Sequence, residues 1–395
     1  MSMVSPEMAP DPQFPSTVYV EGFQAGAVPT AKLTLEYSLC GASHTDTLNI
    51  TVAGPQITSL GFTGDHMITI WPTNVKIDDP DGSTHVWIRG ISLPVCYTKN
   101  TPPTMFATFQ ATADIVLNSV SVRAKVRDDN GNWVVVGQAS GLIWHNGFIE
   151  DTGDSDGEVD NIGGGAAIPR NDRVIWRDPT LTWEVKAGPC DRWGPAGSTD
   201  PLNMYFVWST PLEDPLYDLA LYKAVKQYCG PDGKTPESEV CSAICEGLDR
   251  DINYQPTGCT SHDLGICSAG EGQCCCHAVV FRLLVRSVGI DGSTVYIWGG
   301  CSSAAIDLYR YGAWWGPSFM VVKGAHDGAP TNPHFAFHVE VQAAGGYYDP
   351  SYGTSGLISL SETAPAHSPF PAATRQTGSG LPGGPPHYVS WKCPH

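Results

Sequence analysis

Gly272-Gln-Cys-Cys-Cys-His-Ala-Val-Val-Phe-Arg-Leu-Leu-Val-Arg-Ser-Val-Gly-Ile290 is the stretch on which the fold turns. Cys274, Ala278, Phe281, Val285 and Val288 fall on one stripe at helical spacing, and Arg282 and Arg286 fall off it. The spacing predicts a helix that begins near Cys274 and ends at Gly289, a residue suited to the left-handed conformation that closes helices. The stripe turns Cys274 toward whatever the helix packs on. It also sets the thiol at a helix N-terminus, where unpaired N–H groups and the helix dipole favour a thiolate.

Beyond this helix, residues 293–298, 335–341 and 346–352 have the composition of strands. Upstream, 215–228 and 237–248 are expected to be helical, with Pro215 at a first helical position. The order implies an α+β layer. A thiolate needs a proton shuttle, and Phe337-His-Val-Glu-Val341 offers His338 in a strand able to pack on the helix; His334 is its rival. With a turn at Ala343-Ala-Gly-Gly346, position 338 faces 351 and 340 faces 349. Asp349 then lies one diagonal step from His338 on the same face, where a carboxylate holds an imidazole tautomer and stabilises the imidazolium. His334 has no such partner. Singly, a helix-start cysteine is a buried thiol, a strand histidine a packing residue and an aspartate before proline a turn former. Their ordered combination points to acyl transfer.

Those residues resemble the transglutaminase-like superfamily of papain-like cysteine enzymes over roughly residues 216–352. Gly272-Gln273-Cys274 with Ala278, Leu284, Arg286 and Gly289-Ile290 is similar to that family's nucleophile helix. Phe337-His338-Val339 and Tyr348-Asp349-Pro350 are similar to its histidine and acidic strands. The resemblance implies Cys274 as nucleophile, His338 as general acid/base and Asp349 as orienting carboxylate. In two places the chain departs from the family: Cys275, Cys276 and His277 follow the nucleophile, and Asp291 stands where a proline is common. For the oxyanion, the backbone N–H of Cys274 is the obvious donor. Tyr254 and Gln255 are the side-chain candidates.

The N-terminal part reads differently. Lys32-Leu-Thr-Leu-Glu-Tyr37, Thr47-Leu-Asn-Ile-Thr-Val52 and Val120-Ser-Val-Arg-Ala-Lys-Val126 alternate as half-buried strands do, and Asn130-Gly131 marks a hairpin tip before Trp133. This predicts a β-sandwich, possibly immunoglobulin-like, over 1–147. An acidic, glycine-rich linker with a connecting strand follows over 148–200, then the catalytic domain over 201–360. Residues 361–395, rich in proline and glycine, are expected to wrap the surface without regular structure.

The chain has 395 residues, 42% apolar and 16% charged, with 43 Gly and 32 Pro, which favours a strand- and turn-rich protein with few long helices. A net charge of −18 disfavours nucleic acid and anionic membranes as partners, and no apolar run approaches the roughly 18 residues that span a bilayer. The expected partner is a protein or peptide substrate. Thirteen cysteines suggest six disulfides plus one free thiol and a secreted protein; 1–16 lacks the pattern of a signal peptide, so either the signal has been removed or the chain is cytoplasmic. Cys241-x₃-Cys245 alone has zinc spacing, while three contiguous cysteines do not. Asp154-Ser-Asp-Gly-Glu-Val-Asp160 carries a partial calcium signal through Asp154, Asp156 and Asp160, incomplete because Thr152 fills the first ligand position. No cofactor is required by the chemistry.

Three functions follow from the residues. The first is hydrolysis of a peptide or amide bond through a thioester, slightly favoured because cross-linking must exclude water. The second is isopeptide cross-linking of glutamine to lysine, for which Trp298, Trp314 and Trp315 could build a water-excluding tunnel. The third is a non-catalytic surface or adhesion protein on the same scaffold.

Overall fold

The computed structural model describes residues 30–39, 42–51, 54–77, 85–111, 116–186, 192–254, 263–298, 337–351, 353–357, 373–374 and 388–391. It is a mixed α+β structure with large antiparallel sheets. Ten strands between Gln56 and Ser198 form one antiparallel sheet, and its longest pair is Leu117–Arg127 with Trp133–His145. Alternation builds the inner face: Val120, Val122, Ala124 and Val126 are buried, and they join Phe109 and Trp183, whose rings meet edge to face at 5.3 Å. The predicted hairpin has a five-residue loop, because Arg127 pairs with Trp133. Asp128 organises that loop by accepting the N–H groups of Asn130 (2.9 Å) and Asn132 (2.7 Å), which hold its carboxyl below the usual range.

The stretch 148–200, expected as linker with one connecting strand, carries the strands Phe148–Glu150, Val159–Gly164, Thr182–Lys186 and Gly194–Ser198 of this sheet. Ile175–Arg177 joins Asn203–Val207 and Pro94–Thr98 in a second, three-stranded sheet. Most acidic residues of this stretch lie in its loops, and its apolar residues Ile149, Val159, Ile162 and Trp183 are fully buried. The early strands Thr30–Leu39 and Ala42–Thr51 pair only with each other among the described residues.

A second core gathers four helices, α1 (Asp218–Leu221), α2 (Glu237–Asp251), α3 (Ile266–Ala269) and α4 (Cys274–Ser287), against a six-stranded sheet. The helical region near Pro215 starts later than expected: Leu216–Tyr217 is extended, α1 follows, and a π-helical segment spans Tyr222–Tyr228. The sheet runs Thr354–Leu357, Gly346–Asp349, Phe337–Ala343, Gly292–Trp298, Tyr388–Trp391, Ala373–Thr374. The tail is therefore not devoid of regular structure, since Tyr388–Trp391 pairs in parallel with Gly292–Trp298. Ile68, Cys96, Tyr205 and Val207 also enter this core, so segments preceding the helices complete it.

The end of α4 is fixed by two devices. Arg286 reaches Glu213 (2.5 Å), Asp291 (3.0 Å) and the Leu212 carbonyl (2.8 Å). Gly289 has φ +79°, and a Cβ there would stand 2.3 Å from the Ser209 carbonyl oxygen. We expect Gly289→Ala to cost at least about 2 kcal/mol, from left-handed strain plus the clash, measured by urea unfolding.

Candidate functional site

Cys274 is the first residue of α4, after Gln273 in extended conformation at the N-cap. The predicted stripe is buried throughout: Cys274 is 4% exposed and Ala278, Phe281, Val285 and Val288 are inaccessible. Burial is wider than the stripe, because Cys275, Cys276 and His277 are buried as well. Phe281 stacks on Tyr348 at 5.4 Å, so α4 rests on the hairpin that carries the histidine and aspartate strands.

The three adjacent sulfurs differ. Cys276 is in a disulfide whose partner lies outside the described residues. Cys275 is a thiol outside any disulfide, pushed up to about 11, by burial first and then by Cys274. Cys274 is also free. Seven free cysteines among the described residues overturn the six-disulfide arithmetic, leaving six cysteines and at most three disulfides. Burial accounts for these thiols: it pushes Cys229 and Cys241 up to about 12, so they serve as small apolar core residues. Among the described residues no three His, Cys, Asp or Glu side chains are arranged to hold a metal ion.

The hairpin register agrees with the sequence reading as far as it runs. Val341 pairs with Tyr348, Gln342 with Tyr347 and Ala343 with Gly346 across a turn with Ala344 and Gly345 at positive φ. Val341 pairs with Tyr348 on the row that meets Phe281 of α4, and Val339 belongs to the same row. Position 338 is one step out of phase with that row. For His338 the backbone alone is described, opposite Ile297; His334 and Gln255 lie outside the described residues. The recorded pairing stops at Tyr348, and the strand is irregular against Thr354–Leu357 between Tyr347 and Asp349. Asp349 is fully buried, accepts the Ser351 N–H at 3.1 Å and faces Cys245 of α2, whose thiol its charge helps burial to raise. Asp349 thus reaches the helical layer to which Cys274 belongs. Glu340, a residue the sequence reading did not single out, is buried on the neighbouring strand.

The backbone of Tyr254 pairs in parallel with Gly272, two residues before Cys274. The oxyanion candidate is thereby carried on the strand beside the nucleophile's entry. His277, absent from the predicted site, helps fix this entry: its Nδ1 lies 2.9 Å from the Gln273 carbonyl and its Nε2 3.1 Å from that of Ile252, where α2 ends. Both oxygens only accept, so one ring proton serves one bond and two serve both. The signal available in sequence was a histidine on the first turn of an apolar helix. His277→Ala should cost about 2 to 4 kcal/mol in urea unfolding, through a cavity and one stranded acceptor, the Ile252 carbonyl, because the backbone N–H of residue 277 still donates to the Gln273 carbonyl.

The calcium candidates lie far along the chain from this site, Asp154 and Asp156 in a loop of the large sheet and Asp160 on its strand Val159–Gly164. Asp154 Oδ1 accepts the Ser155 N–H (2.7 Å) and Asp156 Oδ1 that of Glu158 (2.9 Å), so each carboxylate helps to order the loop. Burial, then Asp151, Asp156 and Asp154, raise the Asp160 carboxyl. A carboxyl raised on folding loses its contribution to stability as pH climbs through the folded value. Asp160→Asn should therefore stabilise the fold at pH 7, by on the order of 0.3 kcal/mol after screening, with the gain absent at pH 3 in thermal melts.

A comparison with protein-family models gives no match, and neither does one with curated proteins. No helix among the described residues is long and apolar enough to cross a membrane.

Proposed function

We propose that the chain is a cysteine-dependent acyl-transfer enzyme, with a transglutaminase-like domain following an N-terminal β-sandwich. Cys274 is its nucleophile, His338 its general acid/base and Asp349 its orienting carboxylate. The observation that carries this reading is the separation of the three contiguous sulfurs. Cys276 is tied up in a disulfide, Cys275 is held as a neutral thiol, and Cys274 is left free at the helix start. Tyr254, paired beside Gly272, supports an oxyanion site next to it, with the Cys274 N–H as the backbone donor.

In the reaction the Cys274 sulfur attacks the carbonyl carbon of a peptide or glutamine-type amide. The C–N bond breaks, His338 passes the thiol proton to the leaving amine, and a thioester remains. Water then releases the acid. A lysine amine arriving instead yields an isopeptide bond, and the same triad serves both. Hydrolysis is favoured, since cross-linking depends on keeping water out.

A second reading has an observation of its own. The row of Phe337–Ala343 packed on α4 is that of Val339 and Val341, out of phase with position 338, as a non-catalytic scaffold allows. The triad requires the strand to turn position 338 toward the helices.

Alkylation separates the two. Iodoacetamide at mildly acidic pH should modify Cys274 selectively, with at least ~100-fold slower modification in His338→Ala. Equal or absent labelling at all seven free thiols sinks the enzyme. A glutamine-donor peptide with a fluorescent amine then assigns the product: label incorporation means transfer, and cleavage without label means hydrolysis. Cys274→Ala should abolish either.

A further inference from the structure

On the large sheet, away from the cysteines, a cavity of about 360 Å³ opens where the Leu117–Arg127/Trp133–His145 hairpin meets the segment before Thr182. That is the volume of a small-molecule site. Ile168, Pro169 and Pro179 line it with apolar surface, and Trp133, 44% exposed, closes one side. Its charge runs against the rest of the molecule. In a chain of net charge −18 the lining holds two guanidinium groups, Arg127 and Arg177, and one carboxylate, Asp178.

Arg127 is held by a carbonyl and an aromatic ring and not by an ion pair. Its Nη1 donates to the Gly131 carbonyl at 2.6 Å and its guanidinium carbon lies 4.3 Å from the centre of the Trp133 ring. Among the described residues no carboxylate is within ion-pair distance of it. The neighbouring Asp128 is committed to its loop. Arg177 has a long contact, 3.7 Å, to Asp129, which is 54% exposed and shared with Arg170. Both guanidinium groups therefore keep donors for an anion, and a planar fork suits a carboxylate. Thr180, Thr182 and Asp178 add hydroxyl and carboxylate partners suited to ligand hydroxyls.

We propose that this cavity binds a uronic-acid residue, free or at the end of a glycan. Its carboxylate meets Arg127 and Arg177, its hydroxyls meet Thr180, Thr182 and Asp178, and its C–H face lies on Trp133 and the prolines. A neutral sugar leaves the cations unanswered. An aromatic acid leaves the hydroxyl partners unanswered. The site is independent of the cysteine chemistry.

The test is isothermal titration calorimetry of the full chain with galacturonate, its trimer, galactose and benzoate. Galacturonate should bind, weaken as salt rises, and lose at least tenfold in affinity in Arg127→Gln and in Arg177→Gln, while Cys274→Ala binds as the parent does. Preference for the trimer would identify a glycan as the source, and equal affinity the free acid; both support the site. If an arginine variant unfolds, Thr182→Val, read by the same titration, takes its place. Three results overturn the proposal: no heat with either uronate, galactose or benzoate binding as tightly as galacturonate, or unchanged affinity in the variants.

Discussion

The contact between Phe281 of α4 and Tyr348 of the hairpin is the constraint on which the candidate site depends. Both side chains are inaccessible to water, and each contributes about 1.5 to 3 kcal/mol by burial, with a further ~1 kcal/mol from the stacked geometry. The stack fixes the register in which the helix meets the sheet. Cys274 lies two turns before Phe281 along the same stripe, and Asp349 directly follows Tyr348 in sequence. The aromatic pair therefore ties the strand that carries Asp349 to the helix that begins at Cys274. At the far end of α4, Arg286 and Gly289 fix the exit against residues of the segment leading into α1.

How much of this was legible in the sequence depends on how local the physics is. The helix from Cys274 was legible because helical periodicity is a local property, and so was the hairpin register, which a short loop between two alternating strands determines. The membership of 148–200 in the sheet was not. Its glycines and aspartates fall within the strands as well as in the loops, and their frequency hides four short strands whose partners lie as much as 65 residues away in sequence, as for Ser121 opposite Lys186. The same holds for Tyr388–Trp391, whose pairing with Gly292–Trp298 is a long-range fact written in no local pattern. His277 escaped for another reason: its two carbonyl partners, of Gln273 and Ile252, come from different elements, and a histidine's acceptors cannot be read from its own surroundings in the chain.

Cysteine arithmetic failed instructively. An odd, high count suggests a disulfide framework, but a thiol that is fully buried needs no disulfide, because desolvation keeps it neutral. Cys229, Cys241 and Cys245 are of this kind, set among Val240, Ile244 and Leu248. Composition counts cysteines alike, whereas the fold sorts them by environment.

That sorting carries the functional argument furthest. Cys274, Cys275 and Cys276 are chemically identical in sequence, and each is turned about 100° from the last around α4. One direction leads to a disulfide. Another leads to a thiol held neutral by burial and by its neighbour. The remaining direction continues the stripe that faces the sheet and begins the helix, where the backbone donors of the first turn receive no cap from the Gln273 side chain. Of the three adjacent candidates, Cys276 is tied up in a disulfide and Cys275 is held neutral, and Cys274, outside any disulfide at the helix start, is the one we propose as nucleophile.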